Sequence, residues 1–189
     1  MNNLLTDVLF LPAEIRLAWL FAVGACIGSF INVCVVRFPV SNGLWFEWTS
    51  LLGPSKCCSC DKAISWRHNI PILSWLILRG KCAYCGAKFS VRYMLVELTV
   101  GSAFAGLYYW DVLHLGIFHP TLAPLATPAI THALYLNHVV LFCLLTTAFL
   151  IDAEHWIIPD AITVTGALFG LVLVSLCPYC LPRVWWFAA

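Results

Sequence analysis

The sequence predicts an all-α integral membrane protein with about four transmembrane helices and one zinc-knuckle cytosolic loop, on three observations. Hydrophobic residues make up 62% of the 189-residue chain and charged residues only 10%, with a mean hydropathy of +0.90, whereas soluble domains carry roughly 25% charged residues. Four apolar stretches each approach the ~17–25 residues that a bilayer requires. Eight of the ten Lys and Arg residues fall between Arg37 and Arg92, which makes that segment cytosolic by the positive-inside rule. With a net charge of +1, the lipid bilayer is the partner that composition implies, and no nucleic acid is.

The first span is read at Leu17–Val36. A polar lead-in and the absence of a small-x-small cleavage site predict a retained anchor rather than a signal peptide. Within it, Gly24 and Gly28 stand four residues apart, a spacing that lets helices approach closely. Asn32 follows one turn later, as a hydrogen-bonding clasp between helices. The second span is read at Met94–Trp110, with Glu97 in its first turn. Ile70–Leu78 is apolar but too short to cross, and reads as a packed or interfacial segment.

His114–Ala133 then lies outside, and its prolines Pro120, Pro124 and Pro128 mark a loop. Leu134–Ile151 is the third span. Asp152–Asp160 returns to the cytosolic face, and Ala161–Cys177 is the fourth span. Trp185 and Trp186 suit an interfacial anchor. Cys177-Pro-Tyr-Cys180 has the spacing of a redox dithiol but no thioredoxin-like context around it. No internal repeat is visible.

Two cysteine pairs, Cys57-x2-Cys60 and Cys82-x2-Cys85, stand 21 residues apart in the basic loop. Four thiolates on two turns can close a tetrahedron around Zn²⁺. A reducing cytosol favours metal over disulfides there. Cys58, inside the first pair, is a competing ligand. Cys26, Cys34 and Cys143 lie in spans and read as small apolar fillers.

Asp152, Glu154, His155 and Asp160 are the remaining chemical cluster. Asp152 directly follows an apolar run at the membrane edge, where an ionisable group is costly and marks a functional candidate. Asp160 follows Pro159, where a helix N-cap is the plainer role.

On these residues the chain resembles the type IV prepilin peptidases. Gly28-Ser-Phe-Ile-Asn32-Val-Cys-Val-Val-Arg37-Phe-Pro39 looks like the family's opening signature. The cysteine loop, Asn69-Ile-Pro71-Ile-Leu-Ser-Trp75-Leu-Ile-Leu-Arg79-Gly80, Arg92-Tyr-x3-Glu97 and Ile151-Asp152-x6-Pro159-Asp160 follow in order. The resemblance implies a multi-pass enzyme of the bacterial inner membrane. Such enzymes cleave the basic leader of type IV prepilins or type II secretion pseudopilins, then methylate the new N-terminus with S-adenosylmethionine. It implies aspartic catalysis with Asp152 in the first catalytic position and Asp160 as a lesser candidate. Two such aspartates share a proton and activate water.

Residues 17–93 then form an N-terminal span with a cysteine-loop domain, and residues 94–189 a partial aspartic peptidase membrane domain. The family's second aspartate belongs to a Gly-x-Gly-Asp motif that these 189 residues do not contain. Asp111 falls on the outer face and cannot replace it. The expectation is a C-terminally truncated member, impaired as a peptidase. A non-catalytic zinc-binding membrane scaffold of a pilus or secretion assembly is the alternative. The oligomeric state is not legible in the sequence.

Overall fold

A computed structural model describes residues 11–37, 53–114, 128–156 and 160–176. The described residues are helical and contain no strand, only two isolated β-bridges. The chain divides into two compact units, residues 1–40 with 47–106, and residues 41–46 with 107–189. Pro39, Pro159, Cys177, Cys180 and the Trp185–Trp186 tail lie outside the described residues.

In the first unit, α1 spans Ala13–Arg37. Pro12 opens it, its carbonyl accepting the Ile15 and Arg16 amides. Its 25 residues extend about 37 Å at 1.5 Å per residue, more than the ~30 Å hydrocarbon core. Helix α2 is a short segment, Leu73–Ile77. Helix α3 covers Val91–Tyr108. Ser90 caps α3, its Oγ accepting the Arg92 amide at 3.2 Å, so the helix starts three residues before the expected span.

Helices α1 and α3 run antiparallel along a glycine seam. A Cβ built on Gly24 would stand 2.9 Å from Gly101 Cα, and one on Gly28 would stand 2.8 Å from Glu97 Cα. Asn32 Nδ2 donates to the Tyr93 carbonyl at 3.0 Å. Each contact steps four residues up α1 and four down α3, as facing rows of two straight helices must. The expected clasp at Asn32 is therefore present. Ile31, Val35, Val96, Val100 and Phe104 are buried in the same unit and form its core. Cys34 is buried among them, while Cys26 faces outward.

In the second unit, the chain leaves α3 through a wider π-type turn, Tyr109–His114. Helix α4 follows at Pro128–His155 and α5 at Asp160–Leu176. Proline is preorganised for a first helical position, which explains why α4 begins six residues before the expected span. Residues 128–133, expected as outer loop, are its first turn and a half. Asp111, only 1% exposed, meets His138 Nδ1 at 2.8 Å. Tyr108 and Tyr135 pack edge-on beside this pair at 5.2 Å.

The exposed surface of these helices is apolar. Trp19 and Phe30 on α1, Leu95 and Leu98 on α3, Leu141 and Phe149 on α4, and Leu168 and Leu171 on α5 all face outward. Water would penalise such a surface, whereas lipid would not. Among the described residues, two helical segments, Ala13–Arg37 and Thr131–His155, are long and apolar enough to cross a bilayer.

Candidate functional site

The cysteine loop is built from two copies of one turn. In the first, the Cys57 amide bonds to the Lys62 carbonyl at 3.0 Å and the Asp61 amide to the Cys57 carbonyl at 2.9 Å. In the second, the Cys82 amide bonds to the Ala87 carbonyl at 2.8 Å and the Gly86 amide to the Cys82 carbonyl at 3.0 Å. Bridges Lys56–Ala63 and Lys81–Lys88 close the two turns. Asp61 and Gly86 occupy the same left-handed position, with φ of 56° and 73°. No repeat was visible in the sequence because this one is only eight residues long. Its signal was Lys-Cys-x-x-Cys recurring at Lys56 and Lys81.

This duplication brings four sulfurs together. The Sγ atoms of Cys57, Cys60, Cys82 and Cys85 all lie within 4.8 Å of one another, with Cys57 and Cys85 at 3.8 Å. A tetrahedron with Zn–S bonds of about 2.3 Å has S···S edges of about 3.8 Å, so the donor set fits zinc in chemistry and in size. The Ser59 and Cys60 amides hold the Cys57 thiol down at about 6, which prepares a thiolate. At Cys85 the Ala87 amide pulls the same way, but burial and the three neighbouring thiols push it up to about 11. The Cys82 sulfur accepts the Tyr84 amide at 3.5 Å. Cys58 is exposed and stands outside the cluster.

The segment between the knuckles is tied to α3 by an unusual turn. Ile72 has φ 63° and ψ −54°, and the Leu73 amide bonds back to the Pro71 carbonyl at 2.6 Å. That is a γ-turn of the rare, strained kind, here on a β-branched residue. The turn aims the Ile72 amide at Glu97, whose Oε2 accepts it at 2.7 Å. Glu97 is 8% exposed. The sequence placed Glu97 in the first turn of the second span, and the Ile72 amide as its partner was unforeseen. The one available signal was a carboxylate inside an apolar helix, which requires a donor somewhere.

Arg37 closes the same unit from the other side, donating to the Gly53 and Pro54 carbonyls at 3.1 and 3.2 Å. Gly80, with φ 65°, lies under the Trp75 indole, and a Cβ there would stand 2.9 Å from the ring.

The predicted carboxylates lie in the second unit. Asp152 is exposed on the last turn of α4, which continues through His155 rather than ending at Ile151. Its carbonyl accepts the Trp156 amide at 2.8 Å. Glu154 and His155 are exposed, with side chains 3.8 Å apart. Asp160 is the exposed first residue of α5, and its carbonyl accepts Thr163 Oγ1 at 3.1 Å. An acidic residue there complements the helix dipole.

Comparison with known proteins now bears on these sites. The family described as Bacterial Peptidase A24 N-terminal domain matches residues 22–111, which include the glycine seam, both knuckles and Glu97. A prepilin leader peptidase/N-methyltransferase of Myxococcus xanthus is 38% identical over 156 residues, 82% of this chain and 39% of that protein. Proteins of the same name from Dichelobacter nodosus and Klebsiella pneumoniae are 32% and 33% identical, over 89% and 82% of this chain and 59% and 61% of theirs. The chain thus spans about half the length of the curated relatives it matches. No solved structure matches it. The matched domain and the shared name of these relatives agree with the residues that carried the resemblance, and the chain belongs to the prepilin leader peptidase/N-methyltransferase family.

Proposed function

We propose that this chain is a prepilin leader peptidase and N-methyltransferase of the bacterial inner membrane. Its substrates are type IV prepilins or type II secretion pseudopilins. The family match over residues 22–111, with its four cysteines gathered at zinc-binding distance, carries this reading. Four helices span the membrane, with the cysteine loop and Asp152 both facing the cytosol, where a basic leader is presented. Residues 17–93 form the cysteine-loop domain and residues 94–189 the part of the peptidase domain present here. Zinc held by Cys57, Cys60, Cys82 and Cys85 staples the loop and takes no part in bond making. S-adenosylmethionine is the methyl donor.

Asp152 is the catalytic carboxylate and Asp160 the lesser candidate for its partner. One protonates the scissile carbonyl while the other takes a proton from water, so the pair must share a proton at close range. A second reading, which the four-cysteine cluster by itself supports, is a zinc-bearing membrane scaffold in a pilus or secretion assembly. Co-expression with a prepilin decides between them. The first reading expects leader loss on a gel and a methylated N-terminus by mass spectrometry, and a prepilin left uncut and unmethylated would overturn it. Efficient cleavage that Asp152→Asn abolishes would overturn the scaffold reading.

A further inference from the structure

We infer that the segment between the two knuckles, Trp66 to Ile77, is a membrane-inserted wedge, its apolar side chains among lipid acyl chains and its flanking cations against anionic headgroups. This goes beyond the proposed function and depends only on α1 and α3 crossing the bilayer. The wedge occupies the leaflet at the Arg37 end of α1. Trp66, Ile70, Leu73, Leu76 and Ile77 are all exposed, Ile77 to 77%. At nine residues, the apolar run Ile70–Leu78 is too short to cross a bilayer and close to the length of a re-entrant or interfacial element.

The depth of the segment follows from its tie to Glu97. The Glu97 carboxylate accepts the Ile72 amide, and its Cα faces Gly28 across the seam. Gly28 lies nine residues before Arg37, which is about 14 Å along the axis of α1. A helical side chain leans over the turn that precedes it, which still leaves the Ile72 amide level with the apolar part of α1. Ser29, Val33 and Val36 of α1 line the same cavity as Ile70 and Trp75, all of them before Arg37 on that helix. Leu95 and Leu98, on either side of Glu97, are themselves exposed. Lipid that covers α3 at this level therefore reaches the segment as well.

The backbone is prepared for a medium without water. The amides of Ile72, Leu73 and Ser74 donate to Glu97, Pro71 and Ile70, and those of Leu76 and residues 78–81 donate to carbonyls of the segment itself. Pro71 has no amide to satisfy. Backbone immersed in lipid has to be satisfied internally in this way. The charges select the kind of surface. Lys56, Lys62, Arg67, Arg79, Lys81 and Lys88 are exposed across the knuckles and the segment, against one acid, Asp61, in residues 53–91. Cations beside an apolar face fit an anionic lipid surface. Arg67 lies over the Trp66 ring at 5.4 Å, and aromatic and basic side chains together are what anchor a segment at a membrane interface. A soluble acidic partner would match the charge but not the depth.

The test is carbene labelling of the unaltered, zinc-loaded chain in vesicles of phosphatidylcholine and phosphatidylglycerol. A photoactivatable diazirine is carried on the acyl chains, and peptide mass spectrometry locates the label. Leu73, Leu76 and Ile77 should be labelled as heavily as Leu95 and Leu98, and Tyr84 on the second knuckle should not be. Hydroxyl radicals generated in the water should modify Tyr84 and spare Leu76 and Ile77. Without phosphatidylglycerol, the label on the segment should fall while that on α3 holds. The inference is overturned if Leu76 and Ile77 escape the lipid label, or if water-borne radicals modify them as they do Tyr84. An unlabelled segment that cross-links to a second copy of the chain would overturn it in favour of self-association. A label indifferent to phosphatidylglycerol would overturn the part given to the cations. Loss of label from Leu95 and Leu98 as well would remove the membrane spans on which the wedge depends. Failure to cleave or methylate a prepilin leaves the labelling pattern untouched, so the two proposals fail separately.

Discussion

Gly28→Ala should destabilise the first unit although alanine is the better helix former. The new Cβ would stand 2.8 Å from Glu97 Cα and 3.1 Å from the Val96 carbonyl oxygen. Carbon atoms prefer about 3.5–4.0 Å, so α1 and α3 must separate by roughly 0.7 Å or more. Both obstructing atoms are backbone, so no rotamer change relieves the clash. Separation loosens Ile31, Val35, Val96 and Val100 and stretches the Asn32–Tyr93 bond. Overpacking of this kind costs about 1–3 kcal/mol, partly offset by up to about 1 kcal/mol of helix propensity. Gly106→Ala is the control, because a Cβ there meets nothing within 4 Å and retains the propensity gain. The two variants should therefore differ by about 2 kcal/mol, or roughly 4–8 °C in Tm for a chain of this size. Thermal unfolding followed by tryptophan fluorescence in one detergent reads this difference. A Gly28→Ala protein as stable as Gly106→Ala would refute the close packing of the seam.

Three further outcomes are expected. Purified without chelator, the protein should carry about one zinc, and a strong chelator should strip amide-exchange protection from residues 55–90 while α1 and α3 keep theirs. The loop buries almost no apolar side chains apart from Cys57 and Cys82, so a metal bound there would supply its folding energy. Glu97→Leu should cost about 1–3 kcal/mol by orphaning the Ile72 amide, while Glu97→Gln costs less, both read by exchange at that amide. In metal-free protein the Cys57 thiol lies at about 6, below its ordinary 9.0. Its depressed value makes its contribution to stability complete above pH 9 and lost as pH falls through about 6. Thiolate absorbance should show a step near pH 6 that Cys57→Ala removes, and a rise confined to pH above 8 would refute it.

Much of this was legible before any coordinates. Apolar runs locate α1, α3, α4 and α5 because long uninterrupted hydrophobicity has few other outcomes in a chain this poor in charge. The knuckles are legible because thiolate geometry dictates the Cys-x-x-Cys spacing. Helix ends were misplaced where a local signal competed with hydropathy, as Ser90 does at the start of α3 and Pro128 at the start of α4. The Ile72–Glu97 bond was not legible at all. It joins residues 25 apart through a backbone conformation that isoleucine avoids, and only the assembled unit stabilises it.

Asp111 bears on the peptidase question through geometry as well as topology. Sequence reasoning discarded it because it falls on the outer face. Within the second unit, its carboxylate is fully buried and held by His138. His138 and Asp152 lie on the same helix, 14 residues apart in sequence, which is about 21 Å along the axis. Two carboxylates share a proton only within hydrogen-bond reach, so Asp111 cannot pair with Asp152 whichever face each occupies. Nor is Asp111 available, since removing it would leave His138 without its partner and a polar cavity beside Tyr135. A peptidase centre built on Asp152 must therefore take its second carboxylate from Asp160 or from another polypeptide segment, and the buried Asp111–His138 pair is explained by packing within the second unit.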